Sequence, residues 1–272
     1  MVTFPNCKIN LGLNILRKRE DNFHNIETVF FPLPFYDVLE IVSSENETQF
    51  INTGISGGEI KNNLCLKAYE LLKKDFAHLP KIKMHLHKTI PVGAGLGGGS
   101  ADGAFTLSLL NKKYQLHIPL TQLTEYALEL GSDCPFFLMN KPAIAKGRGE
   151  HLEEINISLS GYKIVIIYPR IHVSTKELFQ QIAPIVPAKR IKNILQQPVE
   201  SWKNDLVNDF EKIVFKIYPQ IKTIKNELYH NGALYASMTG TGSTVFGIFR
   251  QNEQVHLPKQ NNYTCKVVQN LA

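Results

Sequence analysis

Pro91-Val92-Gly93-Ala94-Gly95-Leu96-Gly97-Gly98-Gly99-Ser100-Ala101-Asp102 crowds five glycines into one short stretch. Glycine has no Cβ, so its backbone adopts positive φ and approaches a ligand closely. The run stops at Ser100, and Ala101-Asp102-Gly103-Ala104-Phe105-Thr106-Leu107 opens a helical pattern. A flexible loop that feeds a helix N-terminus aims several unpaired N–H groups at one point, and the helix dipole adds partial positive charge there. This is an anion trap, and phosphate is its usual guest. A surface turn without a ligand is the plainer alternative. It is disfavoured because so many glycines before a helix are costly unless the backbone must meet something.

Gly93, Gly95 and Gly98 also satisfy G-x-G-x-x-G, a weak signal alone. A dinucleotide site needs an acidic residue about 20 positions on, and Tyr114-Gln115-Leu116-His117-Ile118-Pro119 has none. The Gly-Lys-Ser/Thr of a Walker loop is absent, as are the His-Arg-Asp and Asp-Phe-Gly partners of a protein kinase.

The 272 residues have an ordinary globular balance, with a formal net charge of +6. A modest basic excess suits polyanionic small molecules and nucleic acid alike. The densest basic run, Arg17-Lys18-Arg19, is followed at once by Glu20-Asp21, which reads as a solvated turn. With no dense Arg/Lys stripe, and aromatics that read as buried, a basic RNA-binding protein is disfavoured. Cys7, Cys65, Cys134 and Cys265 form no C-x-x-C pair, which fits a reducing cytosol. The N-terminus has no basic segment ahead of an apolar one, and the apolar run around Ile164–Tyr168 is too short for a bilayer. A cytoplasmic protein with no membrane or nucleic-acid partner is expected.

Cys7, Ile9, Leu11, Leu13 and Ile15 alternate with Lys8, Asn10, Gly12 and Asn14, the pattern of a strand with one buried face. Lys8 and Asn10 share the other face, where solvent is the ordinary fate of such residues. A meander is expected from Phe23 through Val42, and an amphipathic helix from Leu64 to Leu72. A strand follows in which Ile82, Met84 and Leu86 alternate with Lys83, His85 and His87. His85 and His87 share a strand face, but without a third ligand a solvated face is expected over a metal site. Leu120 to Leu130 is a helix ended by Gly131. In Gly131-Ser132-Asp133-Cys134-Pro135-Phe136-Phe137, the Asp-x-Pro order makes Asp133 a helix cap on local grounds. Ser174-Thr175-Lys176-Glu177 is a capping box. Helices are expected over Trp202–Phe215 and Pro219–Tyr229, then strands on either side of Gly240-Thr241-Gly242. The segment after Glu150 is the expected boundary between domains.

The pattern P-x-G-x-G-L-G-G-G-S-A resembles the phosphate-binding signature of the GHMP kinases, the superfamily of galactokinase, homoserine kinase and mevalonate kinase. Pro5-Asn6-Cys7-Lys8-Ile9-Asn10-Leu11 and Met238-Thr239-Gly240-Thr241-Gly242-Ser243 resemble its first and third motifs, in the family's order. Asp21-Asn22-Phe23-His24, the Gly131–Phe137 segment, Gly147-Arg148-Gly149-Glu150 and Asn208-Asp209-Phe210-Glu211 resemble one branch. That branch phosphorylates the 2-hydroxyl of an erythritol bearing cytidine diphosphate, in isoprenoid-precursor synthesis. Asn22 stands where the family usually has Gly, and tolerates left-handed backbone better than most residues. Phe23 replaces the usual Tyr, keeping a stacking face and losing a hydroxyl.

The resemblance implies an α+β (α/β-type) two-domain fold. An N-terminal ATP-binding domain (1–155), with the topology of a ribosomal-protein domain, precedes a ferredoxin-like C-terminal domain (156–272). It implies that Lys8 and Asp133 are the catalytic pair, that Pro91 to Ala101 hold the ATP phosphates, and that Asn63 lies near the adenine. It further implies that Asn10, Phe23 and His24 meet the small-molecule substrate carrying cytidine diphosphate, with Phe179 covering the cytosine from the other side. Mg²⁺ is expected with the triphosphate, and Ser100 either approaches it or caps the helix. The nearest rival is a homoserine- or mevalonate-type kinase, against which the aromatic-His pair argues.

Overall fold

Two units of interleaved chain make up the protein, seen here in a computed structural model that describes residues 1–55, 62–256 and 262–269. In chain order the strands are β1 (Val2–Thr3), β2 (Asn6–Lys18), β3 (His24–Tyr36), β4 (Val38–Ser44), β5 (Gln49–Gly54), β6 (Lys81–Lys88), β7 (Ala143–Gly147), β8 (His151–Glu154), β9 (Tyr162–Tyr168), β10 (Tyr235–Met238), β11 (Val245–Arg250) and β12 (Thr264–Gln269). The helices are α1 (Leu64–Asp75), α2 (Gly98–Lys113), α3 (Leu120–Leu130), α4 (Cys134–Met139), α5 (Thr175–Gln181), α6 (Ile191–Leu195), α7 (Trp202–Asp205), α8 (Glu211–Ile217) and α9 (Pro219–His230).

The first unit comprises Met1–Cys7, Phe35–Val92 and Gly97–Lys141. Its sheet has the order β1-β4-β6-β5. Strand β4 runs antiparallel to β1 and β6, whereas β5 is parallel to β6. A parallel pair needs a crossover connection, and α1 lies in it. Helix α2 packs on β1 and β4, and α1, α3 and α4 pack on α2. The α1–α2 crossing is tight because Gly103 faces Leu64; a Cβ on that glycine would lie 2.9 Å from Leu64 Cβ.

Burial alternates strictly along β6, and Lys88 falls on the same face as Ile82, Met84 and Leu86. The apolar phase thus ends in a charge, 2% exposed. The Lys88 ammonium donates to Asp37 Oδ2 and, at 2.7 Å, to Asp102 Oδ2 in the first turns of α2. Asp37 also accepts the backbone N–H groups of Thr89 and Ile90. The cluster ties the start of β4, the end of β6 and the N-terminal part of α2 together. Burial alone would lower the Lys88 pKa, but the charges of Asp102 and Asp37 outweigh it and the net shift is upward. One ammonium does not compensate two carboxylates. Burial therefore pushes the Asp102 carboxyl up to about 7, with Lys88 opposing the shift and Asp37 reinforcing it.

Asp37 also explains why the expected meander stops at Tyr36. The residue is fully buried, and its backbone N–H donates to Pro5 O at 2.8 Å. The chain after β3 is held there and β4 joins the sheet of β6.

The second unit comprises Lys8–Pro34, Gly93–Leu96 and Pro142–Ala272. One sheet has the order β2-β3-β7-β8. Residues 6–15 of β2 are all buried, so the expectation of a single buried face is corrected. On its polar face, Lys8 bonds Asn10, and Asn10 bonds Thr28 and Thr239. The second sheet has the order β10-β11-β9-β12, antiparallel throughout. Read from the other edge this is fourth, first, third, second in chain order, the ferredoxin-like arrangement expected. Helix α9 packs on β10 and β11, over a core that includes Ile221, Ile224, Leu228, Ala236 and Val245. The helix expected over Trp202–Phe215 is interrupted. Val207 O accepts from Leu13 N–H at 2.8 Å, and Asp209 N–H donates to Leu13 O at 2.9 Å. Asp209 Oδ2 accepts from Ile15 N–H at 2.8 Å. The segment bonds to β2 rather than to its own preceding turn.

The Asp102 shift has a defined sign. Its carboxyl rises from an ordinary 3.8 to about 7 on folding. The stability this contributes is complete below the unfolded pKa and is lost as pH rises toward the folded one. Urea midpoints of wild type and Asp102→Asn, measured from pH 5 to 8, should show the wild type losing ground to the variant as pH rises. Parallel pH profiles would contradict the shift.

Candidate active site

The glycine stretch is built on positive φ: Gly93, Gly95 and Gly97 have φ of 66°, 79° and 71°. Gly95 must lack a side chain, because a Cβ there would lie 2.1 Å from Thr239 O. Helix α2 begins at Gly98 with Gly97 as its cap. The helix therefore starts three residues before the expected Ala101, and Ser100 lies inside it rather than capping it. Its first N–H groups come from residues without bulk. Gly98 presses on Ile90, where a Cβ would lie 2.8 Å from Ile90 Cγ2. A Cβ on Gly99 would meet nothing within 4 Å, so the backbone there faces open space.

In the second unit, the first half of this loop is fixed by the other two motifs. Lys8 N–H donates to Leu96 O at 2.9 Å, and Thr244 N–H to Ala94 O at 3.3 Å. The Thr239 hydroxyl accepts from Asn10 N–H at 3.0 Å. Its own proton is shared between Gly95 O, 3.1 Å away, and Asn10 Oδ1, 3.2 Å away. Asn10 Oδ1 also accepts from the Lys8 ammonium at 2.7 Å, and Asn10 Nδ2 donates to Thr28 Oγ1 at 2.9 Å. Lys8 lies over the Phe30 ring, 4.5 Å from its centroid, and is 3% exposed. A buried ammonium requires such compensation.

Two residues of this arrangement, Thr239 and Asn208, carried no assigned role in the sequence. Asn208 Nδ2 donates to Met238 O at 2.8 Å and Gly240 O at 2.9 Å, while its Oδ1 accepts from Phe210 N–H at 3.0 Å. All three polar positions hold backbone, two of them in the Met238–Gly240 turn. An Asn in a motif, followed directly by Asp and an apolar residue, was the available signal.

In the first unit, Asn63 caps α1, its Oδ1 accepting from Cys65 N–H at 2.8 Å. Asp133 precedes α4 at the cap position, yet its backbone is right-handed helical and its side chain makes no capping bond. The carboxylate is therefore not committed to the role that local sequence favoured. The Ser100 hydroxyl bonds the Cys134 thiol, which burial pushes up to about 12, so this cysteine is an inert packing group. That contact brings the first turn of α2 beside the start of α4.

The β2–β3 hairpin carries the remaining residues. Asn22 adopts φ 64°, the left-handed backbone anticipated for it. Phe23 is 50% exposed, while the adjoining His24 is 6% exposed. The His24 ring stacks on Phe179 with centroids 5.2 Å apart and planes at 29°. Phe179 meets Phe210 edge-on at 4.9 Å. Burial, then the Lys18 charge, lowers the His24 pKa, so the ring is neutral at pH 7 with one donor and one acceptor nitrogen. Nδ1 is buried without a hydrogen-bond partner. Buried polar atoms are seldom left so, which makes this nitrogen a position where ligand contact is expected. His85 Nε2 and His87 Nδ1 both bond Thr53 Oγ1, at 2.9 and 3.0 Å, on the exposed face of β6.

Comparison with known proteins agrees with this architecture. The family model for the GHMP kinases N terminal domain matches residues 63–141, and that for GHMP kinases C terminal matches residues 188–260. The 4-diphosphocytidyl-2-C-methyl-D-erythritol kinase of Bacteroides fragilis is 50% identical over 259 residues, covering 94% of each chain. Its namesake in Cytophaga hutchinsonii is 47% identical over 268 residues, covering 97% of this chain and 98% of that one. A crystal structure of 4-(cytidine 5'-diphospho)-2C-methyl-D-erythritol kinase superposes with a TM-score of 0.79 at 29% identity, covering 91% and 90%. A homoserine kinase from Cytophaga hutchinsonii, at 13% identity and a TM-score of 0.71, shares the fold. The chain belongs to the GHMP kinase family.

Proposed function

We propose that this protein transfers the γ-phosphoryl group of ATP to the 2-hydroxyl of 4-diphosphocytidyl-2-C-methyl-D-erythritol. The observation that carries this reading is the 45–51% identity, over more than nine-tenths of the chain, to several kinases of that name. The unpartnered His24 Nδ1 beside exposed Phe23 supports the cytidine end of the substrate.

Phosphoryl transfer through a loose transition state demands positioning and charge neutralisation more than covalent chemistry. Pro91 to Ala101 would hold the triphosphate, with backbone N–H groups and the α2 dipole as donors. Lys8 would neutralise negative charge developing between donor and acceptor; Asn10 holds its ammonium at 2.7 Å and would meet the substrate. Asp133 would orient the hydroxyl and take its proton late, since a carboxylate of ordinary pKa is a weak base toward an alcohol. Asn63 would lie near the adenine. His24, with Phe23 and Phe179, would receive the cytosine. We retain 1–155 and 156–272 as the ATP-binding and C-terminal portions.

Mg²⁺ belongs to this proposal through the nucleotide, because it keeps several waters and binds substrate phosphates. Among the described residues no three His, Cys, Asp or Glu side chains form a group able to hold a metal. No step is assigned to it. No helix of the described residues is long and apolar enough to cross a membrane. None of the four cysteines is in a disulfide, which supports a cytoplasmic setting.

With ATP and Mg²⁺, the cytidylyl substrate should be consumed while homoserine and mevalonate are not. Asp133→Asn should lower kcat by about 10²-fold or more with little change in ATP affinity. Lys8→Ala should likewise act on kcat; a change in KM alone would reduce Lys8 to a binding group. His24→Phe should preserve the ring stack and remove the nitrogen. It should raise KM for the cytidylyl substrate by about 5- to 10-fold at unchanged KM for ATP. Equal effects on both substrates would contradict the assignment of His24.

A further inference from the structure

The tip of the β2–β3 hairpin is held by its own charges. Arg19 Nε lies 3.1 and 3.0 Å from the two Asp21 oxygens, and Nη2 lies 2.9 Å from Oδ2. Asp21 Oδ1 accepts from Phe23 N–H at 3.1 Å across the left-handed Asn22. These bonds fix the backbone from which the Phe23 ring projects.

The ring has a partner from elsewhere in the chain. Arg148, in the turn between β7 and β8, places its guanidinium carbon 4.8 Å from the Phe23 centroid. That turn is preset as well, with Gly147 and Gly149 at φ 70° and 113°. Glu150 accepts from Arg148 N–H and stands 3.6 Å from its Nε. Arg148 Nε is buried and makes no hydrogen bond. With Glu150 beside its Nε, the guanidinium lies within cation–π distance of the Phe23 ring. Half of the Phe23 surface remains exposed on a residue type that ordinarily seeks burial.

We propose that Arg148 is a specificity-determining residue of the cytosine site, backing the Phe23 ring so that the substrate base stacks on its free side. The cation draws ring electron density toward itself and leaves the opposite face better suited to a polar, electron-rich base. It also restrains a ring that has no hydroxyl to anchor it. Arg148 is a positioning residue, acting through Phe23. The inference rests on the assignment of the cytidylyl group to Phe23 and His24.

The test is a double-mutant cycle with Arg148→Gln and Phe23→Leu, plus Arg148→Lys. It is read by KM and kcat with the cytidylyl substrate and by calorimetric binding of cytidine diphosphate. Arg148→Gln should raise KM for that substrate, and Kd for cytidine diphosphate, by about 3- to 10-fold. KM for ATP and kcat should stay within about twofold, and Arg148→Lys should fall between. In the Phe23→Leu background, Arg148→Gln should add nothing. An unchanged KM in Arg148→Gln, or the same loss with and without the ring, would overturn the inference while the kinase assignment stands. Cytidine diphosphate binding that follows the predicted pattern in a protein that does not phosphorylate the substrate would overturn the kinase assignment and leave the platform intact. A wild type that phosphorylates the substrate but does not bind cytidine diphosphate would overturn the inference and leave the kinase assignment standing.

Discussion

One hydroxyl joins three motifs that lie far apart in the chain. Thr239 Oγ1 receives Asn10 N–H and returns its proton to Asn10 Oδ1 and Gly95 O. The first motif, the glycine loop and the Gly240-Thr241-Gly242 turn are thereby held within one hydrogen-bonded group in the second unit. The carbonyl of the same residue excludes a side chain at position 95. Each bond contributes about 1 kcal/mol net, but losing a partner inside a buried network costs more, because the remaining groups stay desolvated. The Lys8 ammonium depends on this group through Asn10, so its position is set by a residue 231 places later in sequence.

Two lysines of the described residues, Lys8 and Lys88, are buried and engaged by their surroundings. Lys88 lies between the carboxylates of Asp37 and Asp102 and acts as a fastener inside the first unit. Lys8 gives a hydrogen bond to a neutral amide oxygen and lies over an aromatic face. A clustered ammonium of the first kind holds secondary structure together.

Much of this was legible locally. The glycine spacing before Ala101 predicted a left-handed loop leading into a helix, since φ and helix capping are decided within a few residues. Asn22 at φ 64° and the Ser174 cap, accepting from Glu177 N–H at 3.4 Å, belong to the same class. Long-range satisfaction of polar groups was not legible. Lys8 and Asn10 read as a solvent face because alternation reports only the apolar side of a strand; the Asn10 partners Thr28 and Thr239 are remote in sequence. Asn208 lay inside a helical pattern, and its three backbone contacts overrode that propensity. Asp133 read as a cap until its backbone proved helical. Lys88 was in phase with an apolar face all along, and Asp37, 51 positions earlier, with Asp102, 14 positions later, makes the position intelligible.

The most direct measurement compares Thr239→Val with Thr239→Ser. Valine keeps the shape and removes the hydroxyl, leaving Asn10 N–H buried without its acceptor, whereas serine keeps the oxygen. The account predicts a fall of about 5- to 100-fold in kcat/KM for ATP in the valine variant, with the serine variant near wild type. A folded Thr239→Val protein with wild-type kcat/KM would show that the hydroxyl does not hold the site.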